Sequence, residues 1–239
     1  MKRMIAAALA VLLCLPLLAC GACREEPSET VRRLEFVDSA TYRLLDDAGN
    51  AVRTYRRAEY AYLPNHMLRN VWAECHYTAA NGQKNSFYFY ATEEASAENF
   101  LVMADPDDYY PYFFIVADGY KLPTLAELAP TQVSVCGTEE DLFWMASNVL
   151  DKIYLQERVD ALVSAFTLGA AVALPTDTPQ ASAEMIFSAP ESNTEISFYC
   201  TAYLFPDGSA YLHEGSSGHT VAVDAALLCE YYPFKTDAG

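Results

Sequence analysis

Apolar and polar residues alternate with period two along much of this chain, a pattern that predicts half-buried strands joined as hairpins. Tyr42–Leu45 and Ala51–Tyr55 flank an Asp-Asp-Ala-Gly-Asn segment, where Gly49 and Asn50 tolerate the positive φ of a tight turn. Val71, Ala73, Cys75 and Tyr77 share one face of a second strand. Asn81-Gly82 turns it, and Phe87–Tyr90 returns. Further on, Tyr112–Val116 is a continuous apolar run suited to a buried strand. Thr131–Cys136, Met185–Phe187, Ile196–Phe205, Ala210–His213 and His219–Val223 read as strands as well, with turns at Pro206–Ser209 and Glu214–Gly218.

The period lengthens to that of a helix in three places. Leu155, Val159, Leu162, Val163 and Phe166 form the strongest apolar stripe, ending near Gly169. Thr92–Met103 predicts a shorter helix stopped by Asp105-Pro106, and Asp224–Tyr231 a closing helix capped by Asp224. Leu142–Ile153 fits both helix and strand. The expected class is therefore α+β, mostly antiparallel β-hairpins with a few packed helices. Hairpins plus a helix occur twice, which suggests two similar halves, 34–128 and 129–239, joined near the proline-bounded stretch Leu122–Pro130. No GxGxxG or GxxxxGK[ST] is present to cradle a nucleotide.

The first twenty-three residues obey a different rule. Lys2 and Arg3 precede an almost unbroken apolar run from Met4 to Ala19, the layout of a secretory signal peptide. Sixteen residues fall short of the roughly 20 that a spanning helix needs. At the end of the run, Leu17-Leu18-Ala19-Cys20 resembles the lipobox of bacterial lipoproteins. That resemblance implies cleavage before Cys20, a diacylglycerol on its thiol, and a stable membrane anchor on the extracytoplasmic face of the cell membrane. Residues 1–19 are then the signal peptide, and 20–33 the lipidated cysteine with a polar tether. The resemblance covers the anchor only.

Cleavage there leaves 13 basic against 32 acidic residues, a mature net charge of −19. Such a body repels phosphate backbones, and its densest basic group is only Arg53, Arg56 and Arg57, so nucleic acid is not an expected partner. Export also permits disulfides. Cys75, Cys136, Cys200 and Cys229 could form two bridges in any of three connectivities or remain buried thiols, and no spacing suggests zinc.

Candidate chemistry is sparse. His213, Glu214 and His219 flank one tight turn and could converge on a metal, although HEGSSGH lacks the i, i+4 histidine pair of a helical zinc site. Gly215-Ser216-Ser217-Gly218 is one residue short of GxSxG and joins strand to strand, not strand to helix. Cys75 and His76, adjacent on a strand, point to opposite faces and cannot share a proton. Asp105, Asp107 and Asp108 offer oxygens, yet the stretch has neither the glycine nor the final glutamate of a calcium loop. Tyr109, Tyr110 and Tyr112 could stack on a sugar or peptide.

No assembled catalytic set and no cofactor motif emerge. The sequence leads to the expectation of a lipid-anchored protein that binds a protein, peptide, glycan or small solute without catalysis. The alternatives are an envelope hydrolase assisted by a metal at His213, Glu214 and His219, or an assembly lipoprotein.

Overall fold

A computed structural model describes residues 31–59, 62–65, 68, 70–104, 113–137, 148–190 and 196–235. The expected turns form the hairpins they were read to form. Gly49 and Gly82 both take a φ of +83°, and Asp46 fixes the first turn by accepting from the Asn50 amide at 2.7 Å. The strands so joined are β2 (Thr41–Leu45) with β3 (Ala51–Arg57), and β5 (Ala73–Thr78) with β6 (Lys84–Tyr90).

Three further strands complete a closed seven-stranded barrel: β1 (Arg32–Asp38), β7 (Phe100–Ala104) and β8 (Phe113–Ala117). Their order is β1-β2-β3-β8-β7-β6-β5. Closure comes from one parallel pairing, Arg32 to Ala73 and Leu34 to Cys75. The inward residues Leu34, Tyr42, Tyr55, Cys75, Phe89, Leu101, Met103 and Ile115 fill the interior. The barrel is a packed core and not a channel.

A second sheet runs β10 (Val149–Ile153), β9 (Gln132–Cys136), β11 (Ala181–Ser188), β12 (Ile196–Leu204), β13 (Ala210–Glu214), β14 (His219–Val223). One strand reaches it from the first half of the chain. β4 (Tyr62–Pro64) pairs with Ile196–Phe198 at the start of β12, and β13 pairs with Thr201–Leu204 of the same strand. Against the inner face lies α1 (Gln156–Leu168), burying Val159, Leu162 and Phe166. Arg158 ties the helix to the C-terminal segment through Glu230 at 2.6 Å and the Ala226 carbonyl at 3.0 Å.

Barrel and sheet share a wall. β7 is buried on both faces: Leu101 and Met103 point into the barrel, while Phe100 and Val102 join Phe114 in the core beneath the second sheet. Val31–Gly239 accordingly form one compact unit.

The architecture corrects the α+β expectation. Fourteen strands stand beside one α-helix among the described residues, so the chain is mostly β. The expected helix at Thr92–Met103 is reduced to a three-residue 3₁₀ turn, Ser96–Glu98, and its last four residues belong to β7. Phe100, Leu101, Val102 and Met103 form an apolar run buried on both faces, a case in which spacing cannot separate strand from helix. The expected closing helix shortens to a 3₁₀ turn, Ala225–Leu227, although Asp224 does cap it, accepting from the Ala226 amide at 2.9 Å. The two halves are also unlike one another: one is a closed barrel, the other a sheet carrying the helix.

Candidate functional site

The HEGSSGH segment forms the β13–β14 hairpin, and strand alternation separates its side chains. His213 faces outward, where its Nδ1 lies 2.8 Å from Thr220 Oγ1. Glu214 and His219, cross-strand partners, face inward. Glu214 is fully buried, and its carboxylate accepts from the backbone amides of Ser216 at 2.7 Å and Ser217 at 2.9 Å. The hydroxyls of both serines also lie 2.6 Å from its oxygens. Every acceptor direction of the carboxylate is thus engaged by the turn itself. Among the described residues, no three His, Cys, Asp or Glu side chains come together as metal ligands. Ser216 Oγ also lies 3.0 Å from the Glu59 carbonyl, docking the turn on the β3–β4 connection. This serine serves the turn.

His219 has another setting. Its ring meets Phe166 edge-on, with centroids 5.0 Å apart, and Nε2 lies 3.3 Å from the Phe166 carbonyl. A carbonyl oxygen can only accept, so that nitrogen carries the proton. Beside it opens a pocket of about 300 Å³, lined by Tyr62, Phe166, Phe198, Leu125, Thr167 and His219.

Five separate pieces of chain build this pocket. β4 supplies Tyr62, the turn after β8 supplies Thr124, Leu125 and Ala126, and the last turn of α1 supplies Phe166 and Thr167. β12 adds Phe198, and the first residue of β14 is His219. The rings brace one another edge-to-face: Tyr62 to Phe198 at 5.9 Å and Phe166 to Phe198 at 5.0 Å. Tyr62 is further held because its hydroxyl donates to the Pro123 carbonyl at 2.8 Å. Thr124 is fixed by a capping box, in which the Thr124 amide donates to Glu127 Oε2 at 2.8 Å and the Glu127 amide donates back to Thr124 Oγ1 at 3.2 Å. Donation from the Thr124 amide, and from the Thr124 hydroxyl at 2.9 Å, holds the Glu127 carboxyl below the usual range. The walls are preformed, and they are apolar and aromatic in the manner of small-molecule sites.

Of the candidate site residues read from the sequence that fall among the described residues, His219 lines this pocket, beside Phe166 of the predicted helical stripe. Tyr109, Tyr110 and Tyr112, together with Asp105, Asp107 and Asp108 and the lipidation residue Cys20, lie outside the described residues. Cys75, Cys136, Cys200 and Cys229 are free thiols. Register explains why the first three do not meet. Cys75 lies inside the barrel, whereas Cys136 and Cys200 sit on opposite faces of the second sheet with β11 between them. Two strand spacings of about 4.8 Å exceed the reach of a disulfide. Burial pushes the Cys75 and Cys136 thiols up to about 11, far from the values of reactive cysteines.

On the outer face of the second sheet, Glu184 accepts from the Thr201 hydroxyl at 2.9 Å. Burial raises its carboxyl above the ordinary value, against the opposing pull of that hydrogen bond. Tyr199 nearby is pushed up to about 12, first by burial and then by the charges of Glu184 and Glu214.

No family model, curated protein or solved structure matches this chain. No described helix is long and apolar enough to cross a membrane.

Proposed function

We propose that this chain is a lipid-anchored, extracytoplasmic binding protein that takes a small, largely apolar ligand without transforming it. The observation that carries the reading is the braced aromatic pocket of Tyr62, Phe166 and Phe198. The side chains that could have supported a hydrolase are spent elsewhere. Glu214, Ser216 and Ser217 lock a turn, and His213 lies on the opposite face of the sheet from His219. The anchor at Cys20 follows from the lipobox resemblance and keeps the pocket at the cell surface.

Two measurements test the reading. Intact mass of the protein from bacterial membranes should correspond to residues 20–239 plus acyl chains; an unlipidated mature mass would remove the anchor. Ligand-observed NMR with one- and two-ring aromatic compounds should show binders whose signal disappears in Phe198→Ala, and an absence of binders would remove the pocket.

A further inference from the structure

We infer that the pocket selects an organic cation, an ammonium group carried on a small apolar or aromatic body. The inference deepens the binding reading and rests on it.

The donor hydrogens of the lining are already committed. The Tyr62 hydroxyl donates to the Pro123 carbonyl at 2.8 Å, Thr167 Oγ1 to the Val163 carbonyl at 2.7 Å, and Thr124 Oγ1 to Glu127 Oε2 at 2.9 Å. His219 gives its Nε2 proton to the Phe166 carbonyl at 3.3 Å. Each hydroxyl in the lining has spent its one donor and keeps only acceptor lone pairs. An anion entering here would leave its water shell and meet hydroxyl acceptors and aromatic rings, with no lysine or arginine among the described lining residues to receive it.

A cation meets the opposite conditions. Tyr62, Phe166 and Phe198 surround one small volume, and aromatic faces attract an ammonium group through the ring quadrupole. Glu127, whose carboxylate accepts from the hydroxyl of the lining residue Thr124 at 2.9 Å, puts a negative charge one hydrogen bond from the lining. Lys121, which adds a small downward pull on the Glu127 carboxyl, is exposed and is not among the described lining residues. Across the molecule, 32 acidic residues outnumber the basic ones about twofold, so the long-range field also concentrates cations at the mouth.

Three probes of one shape separate charge from fit: phenyltrimethylammonium, tert-butylbenzene and benzenesulfonate. Each is titrated into the full chain in lipid nanodiscs, with the His219 ring resonance of histidine-labelled protein as the site-specific readout. Phenyltrimethylammonium should bind about tenfold more tightly than tert-butylbenzene, as cation–π attraction at a desolvated site implies, and benzenesulfonate should leave the resonance unmoved. Phe166→Leu, which keeps apolar volume and removes one ring, should weaken the cation about fivefold while changing tert-butylbenzene less than twofold. The retained neutral binding would show that the pocket still folds. If tert-butylbenzene or benzenesulfonate matches the cation, the charge assignment is overturned and the pocket reading stands. If none of the three moves the His219 resonance, both fall.

Discussion

Two glutamates of the second sheet, Glu214 fully buried and Glu184 half-buried, show how differently one residue type is used here. Glu214 is engaged on both oxygens by the turn it begins. In Glu214→Gln an amide NH₂ would face a backbone N–H, donor against donor. A loss of about 1–3 kcal/mol is expected, read as a lower urea midpoint at unchanged slope. Equal midpoints would show that the turn does not depend on the carboxylate. Glu184 behaves otherwise, because desolvation raises its pKa in the folded state. The folded chain then holds this proton more tightly than the unfolded chain does. Its contribution to stability is present at low pH and declines as pH rises past the ordinary glutamate value of 4.5. Glu184→Gln should therefore gain stability relative to the parent between pH 4 and pH 8. Parallel stability curves would refute this.

Among the elements, hairpins were the most legible and helices the least. The strand at His219–Val223 lies where alternation placed it, and the stripe from Leu155 to Phe166 is α1, because each pattern buries one face only. β7 was misread because it buries two faces, and β4 was missed because three residues carry no period. The pocket suffered similarly: Tyr62, Phe166 and Phe198 stand more than thirty residues from one another, and no local motif joins them. His219 was singled out for its neighbour Glu214, yet its partner is Phe166, 53 positions away.

The exposed edge of the second sheet carries its own safeguard. At β10, Asp151 accepts from the Lys152 amide at 2.8 Å and from the Tyr232 amide at 3.2 Å, which places a charge where another strand would pair. Val149, Leu150 and the following Tyr154 and Leu155 are all exposed there. Asp151→Ala should increase concentration-dependent self-association, measured by sedimentation velocity. An unchanged sedimentation coefficient would assign the protection to other groups.

At the scale of the whole molecule, the shared wall makes barrel and sheet interdependent. Phe114→Ala removes a ring that touches both Tyr62 and Phe100, and a loss of about 3–5 kcal/mol is expected. Because that loss strikes a core bordered by both parts, calorimetry should show one transition, shifted and not split. Two resolved transitions would mean that the parts melt alone. β4 extends the same logic to the covalent chain. Its three residues leave the barrel half to hydrogen-bond with β12 and then return. A protease cut anywhere in 118–131 would sever the backbone between the halves and yet release no fragment, since the piece ending at the cut would still be stitched into its partner's sheet.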